Sequence, residues 1–234
     1  MEWYPLIGPA VVAALVSGVI SVVGFIVSSR TARGIHQEKL AFDDKLAERK
    51  FDFDKQLAER KFALDARLAD RKRHQDLAEE VLVGFYEVHD LMMAVRSPGG
   101  YESEGKSRKR DPGENEDVAR EKDTYFAILE RFDARREPVA KLMSRQYRMV
   151  AWFGEEAAVP FKTLHEAIVN VTVSAQMLVR CAGDGGRRAN TTSWTKWEEA
   201  IWWGLGDPDP VATKIDKAIE DIERVCRPIL KGDL

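Results

Sequence analysis

From Leu6 to Val27 the chain carries no ionisable side chain. A run like this, placed in hydrocarbon, must satisfy every backbone N–H and C=O within itself, and a helix is the one way a single segment can do so. About 22 apolar or small residues at 1.5 Å each reach roughly 33 Å, enough to cross a bilayer core. Trp3 and Tyr4 precede the run, where aromatic rings gather at a membrane interface. A cleavable signal would need a positively charged start, and residues 1–5 hold neither Lys nor Arg. The expectation is an uncleaved transmembrane helix over 6–28 with a short non-cytoplasmic N-terminus over 1–5. Arg30, Arg33 and Lys39 follow the span, which places the C-terminal bulk in the cytoplasm and the protein in the inner (cytoplasmic) membrane as a single-pass chain. Ala10, Ala14, Ser17, Gly18, Ser21, Gly24 and Ser28 recur at helical spacing and predict a packing face, because small residues let helix backbones approach closely in lipid.

Beyond the span the sequence repeats itself every eleven residues. LAERK at 46–50 returns at 57–61 and, as LADRK, at 68–72. Eleven residues over three turns predicts a straight or slightly right-handed bundle. On such a helix the Leu46, Ala47, Phe51 and Phe53 slots fall in one arc of roughly 165°. An arc that wide is covered only by two neighbours, so a trimer or larger self-assembly is expected. Phe42, Leu46, Phe51, Phe53, Leu57, Phe62, Leu64 and Leu68 are its candidate core. The alternative is that the helix folds back onto the C-terminal domain. Charged positions are equally regular: Lys50–Asp54, Lys61–Asp65 and Lys72–Asp76 are i,i+4 pairs of a few tenths of a kcal/mol each. No Pro or Gly interrupts Ile35 to Val83.

Past His74 the spacing becomes heptad-like through Leu77, Val81, Phe85, Val88, Met92 and Val95, until Ser97-Pro98-Gly99-Gly100 ends the helix. A coiled-coil helix is therefore expected over 35–96. Residues 97–122 are highly charged and read as a flexible linker, with the basic run Lys106-Ser107-Arg108-Lys109-Arg110 as a solvated loop. From Asp123 amphipathic periodicity returns. It predicts helices around Tyr125–Phe132, Val139–Trp152, Phe161–Leu178 and Trp194–Trp202, then a last one after Gly206-Asp207-Pro208-Asp209-Pro210, read as a stop, an N-cap and a first-turn Pro. Residues 123–234 should form a helical bundle, and the chain as a whole is expected to be all-α.

Charge and cysteine usage narrow the chemistry. Lys plus Arg is 36 against 39 Asp plus Glu, a net of -3, so a polyanion partner is not implied and no nucleic acid is expected. Cys181 and Cys226 lie far apart without metal-ligand spacing, which fits a reducing compartment and no zinc site. The Glu-x-x-His spacing of di-iron bundles does not occur among His36, His74, His89 and His165. His89-Asp90 has the dyad of HD phosphohydrolases but lacks their other ligands. Arg67 and His74 have the Arg-x6-His spacing of HEPN-type helical ribonucleases, yet both read as a solvated charged side. His165-Glu166 reads as a satisfied pair at a helix edge. Gly183-Asp184-Gly185-Gly186-Arg187-Arg188 lacks the Lys-Ser/Thr ending of a P-loop and reads as a helix stop. Trp194, Trp197, Trp202 and Trp203 read as the packing of a small core rather than a stacking platform. Neither catalytic residue, cofactor nor metal is expected.

The opening LIGPAVVAALVSGVISVVGFIVSSRTAR and the KLAFDDKLAERKFDFDKQLAERKF that follows, together with YRMVAWFG and WTKWEEAIWWG further on, resemble uncharacterised bacterial single-pass membrane proteins. That resemblance implies no activity and no site residue. The reading of the residues is a non-enzymatic, membrane-anchored homo-oligomer presenting a cytoplasmic helical interaction domain to a protein partner. Two alternatives come from other classes: a stress or phage-defence effector that permeabilises membranes as an oligomer, and a helical HEPN-like ribonuclease.

Overall fold

The computed structural model describes residues 8–101, 103–183 and 191–232, and every regular element among them is helical. Two compact units are present, Met1–Arg67 and Leu68–Leu234. The described residues of the first, 8–67, all belong to α1 (Gly8–Val95). Past the apolar run its sequence favours this: Ala, Leu, Glu, Lys and Arg make up most of residues 35–67, and straight-chain residues lose little rotamer freedom in a helix. Its large apolar side chains stay exposed, from 45% at Ile26 to 76% at Phe62. Neither Lys50–Asp54 nor Lys61–Asp65 closes as an ion pair, and no other pair forms among the described side chains of this unit.

The second unit has a core of its own, and the last third of α1 is part of it. Leu77, Val81, Phe85, Val88, Met92 and Val95 are each at most 1% exposed. The heptad-like stretch expected to belong with the coiled coil of 35–96 is therefore an intramolecular core helix. Its stripe is filled by the same chain, with the Phe85 ring edge-on to Phe161 at 5.1 Å.

Residues 97–122, expected as a flexible linker, are held in place over much of their length. Helix α2 (Glu116–Asp133) starts seven residues ahead of the Asp123 expected from apolar spacing. Asn115 caps it by accepting the Asp117 N–H at 2.8 Å, and Glu116 and Asp117 favour the positive helix start. Apolar periodicity is blind to a first turn built from polar residues. The expected helix over Val139–Trp152 is two, α3 (Glu137–Ser144) and α4 (Gln146–Phe153). Ser144 Oγ donates to the Lys141 carbonyl at 2.7 Å, a local bond that competes with helix continuation.

A 3₁₀ turn (Glu155–Ala158) leads into α5 (Val159–Cys181), the central helix, which packs against α2 and against α6 (Thr191–Ile201) and α7 (Pro210–Lys231). Helix α7 opens as expected, with Asp209 accepting the Val211 and Ala212 N–H groups and Pro210 in the first turn. It ends at Gly232, whose left-handed φ of 77° suits glycine. Gly84 lets α3 approach α1, since a Cβ there would lie 3.0 Å from Leu142 Cδ1.

Candidate functional site

Two kinds of surface and one buried polar corner stand out. The first surface is the start of α1. Among the described residues it is one helix long and apolar enough to cross a membrane, and its apolar window has no buried share. Ala10, Ala14, Ser17, Gly18, Ser21, Gly24 and Ser28 are all exposed, and nothing lies within 4 Å of the Cβ positions of Gly18 and Gly24. The second is the repeat. Phe42, Leu46, Phe51, Phe53, Leu57, Phe62, Leu64 and Leu68 are between 54% and 76% exposed. A soluble monomer seldom leaves more than a few hundred Å² of apolar surface in one patch. Four Phe and four Leu exposed to this degree exceed that, on the order of 1,000 Å².

The polar corner is built by Arg96, the residue after α1. Its side chain is fully buried and no apolar signal marks it. Nε donates to the Ala200 carbonyl at 2.8 Å, and Nη2 to the Glu199 and Trp202 carbonyls at 3.0 and 3.2 Å. The same nitrogen meets both Asp209 carboxylate oxygens at 2.9 Å. A cation thus sits at the negative end of α6, while Asp209 sits at the positive start of α7 and also accepts the Gly204 N–H at 3.0 Å. The Trp203 ring stacks on the guanidinium at 5.4 Å, and the Trp203 backbone N–H donates to the Arg96 carbonyl at 2.8 Å. Burial pushes the Asp209 carboxyl up, but the Ala212 and Gly204 amides and Arg96 outweigh it and hold it below the usual carboxylate range. The corner locks three chain segments together. Arg96 Nη1 is its one buried nitrogen without a partner.

A second polar cluster fastens residues 99–116 to α2. Arg108 bonds Asp123 at 2.8 Å and Glu114 at 2.5 Å, Arg110 bonds Asp123 at 2.7 Å, and Lys122 bonds Glu114 at 2.8 Å. Arg108 and Lys122 hold the Glu114 carboxyl down at about 2. Arg131 bonds Glu104 and donates to the Val95, Ser97 and Gly99 carbonyls. The basic run expected as a solvated loop therefore hides one of its members, with the Arg108 side chain 7% exposed. Gly105 makes this close approach possible: a Cβ there would lie 1.9 Å from the Asp123 carbonyl oxygen. The cleft between this segment and α2 holds about 400 Å³, but Arg110, Arg120 and Arg131, three of its cations, are already ion-paired.

The histidines do not converge. His74, expected on a solvated charged side, lies edge-on to Trp152 at 4.7 Å and Phe153 at 5.5 Å and is half-buried, while Arg67 is exposed. His89 Nδ1 meets Asp90 Oδ1 at 3.0 Å at the surface. His165 is exposed, and Glu166 reaches Lys214 at 3.8 Å instead. Trp194 is buried beside Tyr125, and Trp197, Trp202 and Trp203 are half-buried in packing. Residues 184–188 of the Gly-Arg stretch lie outside the described residues. Among the described residues no group of three or more His, Cys, Asp or Glu is placed to hold a metal ion. Burial pushes the Cys226 thiol up to about 12, which suits a packed side chain rather than a nucleophile. Arg96, Asp209 and Arg131 carry the polar architecture, and only Asp209 was visible in advance, as an N-cap. No family model matches the chain, and neither a curated protein nor a solved structure does.

Proposed function

We propose that this chain is a membrane-anchored homo-oligomer that gathers three or more copies through its repeat helix and displays a cytoplasmic helical domain to a protein partner. One observation carries the reading: the two units differ in how they treat apolar side chains. The C-terminal unit buries its own, with more than a dozen at most 1% exposed. Among its described residues the N-terminal unit buries none of its large ones. A helix in that state needs an outside solvent or outside partners. Lipid suits the uncharged part from Leu6 to Val27, and sister helices suit the repeat, where charges alternate with Leu and Phe. The cations Arg30, Arg33 and Lys39 support an N-out, C-in orientation in the inner (cytoplasmic) membrane. The domain at the far end of the chain is a folded presenting surface, with the charges of its polar corner paired internally.

The test is full-length protein in its host membrane and in lipid nanodiscs. Alkaline carbonate should leave it in the membrane, protease added to inverted vesicles should reach the C-terminal unit, and particle mass should correspond to three or more copies. Release by carbonate, or a single-copy mass, would overturn the proposal. A steady ion leak from vesicles carrying the protein would favour the permeabilising effector instead.

A further inference from the structure

We infer that the repeat helices close into a ring of roughly six to eight parallel copies around a charged, water-filled lumen. This deepens the self-assembly just proposed and rests on it. At about 98° per residue the apolar arc is not continuous. It resolves into two ridges. One is carried by Leu46, Leu57, Phe42, Phe53 and Leu64, and the other by Leu40, Phe51, Phe62, Ala47 and Ala58. Their centres lie about 130° apart on the helix. Between them runs a charged row, Lys50 and Lys61 beside Asp54 and Asp65. The members of both ridges and of this row are all exposed in the single chain.

Two ridges so far apart meet two different neighbours. In a closed ring of parallel helices the directions to the two neighbours subtend the interior angle of the polygon, about 60° for three copies and about 130° for seven. The ridge separation therefore selects a large ring, and its smaller arc, with the Lys–Asp row, faces inward. Lysine and aspartate alternate there, so the interior is wet and close to neutral. All copies point the same way because each is held in the same bilayer in the same orientation.

The outer flanks supply an independent check on which ridge meets which. Arg49 and Arg60 border the Leu46–Leu57 ridge, while Glu48 and Glu59 lie on the outer side of the Phe51–Phe62 ridge, one position beyond the row of Asp44 and Lys55. When the first ridge of one copy packs on the second ridge of the next, arginine faces glutamate at nearly the same height along the axis. A ridge packed on its own kind would set arginine against arginine and glutamate against glutamate. Among the described residues none of these four side chains has an ion-pair partner, and they are placed for this role. The contact is heterologous, and a heterologous contact that closes gives a ring.

The experiment uses full-length protein in lipid vesicles carrying Glu59→Cys and Arg60→Cys together, with the Arg49–Glu48 contact left intact. The parent chain, bearing only Cys181 and Cys226, is the control. Mild oxidation should give a ladder of covalent species that stops at roughly six to eight copies. A ladder stopping at two or three, or one without an end, overturns the ring while leaving self-assembly standing. No ladder together with a single-copy mass defeats the self-assembly itself. In a second set, Arg60→Glu should raise the concentration for half-assembly about ten-fold by setting like charges across each contact. Adding Glu59→Arg to the same chain should restore it. Failure of that rescue overturns the proposed pairing of ridges.

Discussion

Removing the Asp209 carboxylate should destabilise the C-terminal unit more than any other single polar change described here. Asp209→Ala deletes an N-cap, worth about 1 kcal/mol. It also leaves the Arg96 guanidinium, which is fully buried, without its counter-charge. Stripping one partner from a buried ion pair costs about 3–5 kcal/mol. Three carbonyls, of Glu199, Ala200 and Trp202, still accept from Arg96 in the variant, which keeps the loss near the lower end of that range. The expected total is about 4 kcal/mol, a large part of the 5–15 kcal/mol typical of a domain. Asp209→Asn keeps a capping oxygen and most of the shape, so it should lose about 2 kcal/mol less than the alanine variant. Urea unfolding followed by tryptophan fluorescence is a suitable assay, because Trp152, Trp194, Trp197, Trp202 and Trp203 all lie in this unit. A loss below about 1 kcal/mol for Asp209→Ala, or equal losses for the two variants, would refute the corner as described.

Three further outcomes follow from other parts of the molecule. Glu114 has its pKa depressed to about 2 by Arg108 and Lys122, so its contribution is present above the unfolded value near 4.3 and is lost as pH falls towards 2. Hydrogen exchange of residues 103–114 should rise over that window in the parent chain, and Glu114→Gln should exchange faster already at pH 7. Gly105→Ala should unfasten the same segment, because its φ is 77° and the new Cβ would meet the Asp123 carbonyl, and it should expose Arg108 to limited trypsin cleavage. Leu57→Asp should dissolve the assembly at protein concentrations where the parent is intact, while leaving the unfolding free energy of the C-terminal unit in urea within about 0.5 kcal/mol, since Leu57 belongs to the other unit and is not a member of that core.

Long-period features of the fold were legible in the residues. An uncharged run, an eleven-residue repeat and amphipathic spacing in α2, α5 and α7 all state which faces are apolar, and apolar burial dominates helix placement. What escaped was of two sorts. The stripe from Leu77 to Val95 has the spacing of a coiled coil, and periodicity alone does not tell an intramolecular neighbour from a second chain. The corner at Arg96 and the segment from Gly99 to Glu116 are fastened by charged groups whose partners lie far off in sequence, up to 113 residues apart for Arg96 and Asp209. A charge run such as Lys106 to Arg110 looks solvated until Asp123 and Glu114 are brought against it. For the candidate surfaces the case is mixed. The eleven-residue spacing picks out the apolar positions of the repeat, while the row of Lys and Asp that divides them enters the sequence only as i,i+4 pairs.

The place of the Leu77–Val95 stripe in the core has a consequence for biosynthesis. The stripe is made early, but it shares its core with Val211, Ile215, Ile222 and Cys226 of α7, which emerge more than a hundred residues later. At roughly 5–20 residues per second, that is an interval of several seconds or more. During it the N-terminal apolar run has already left the tunnel and, on the function proposed above, is free to enter the membrane. In the proposed assembly, neighbouring nascent chains would meet by their stems before either has a finished head, and copies made from one message would be brought together ahead of folding.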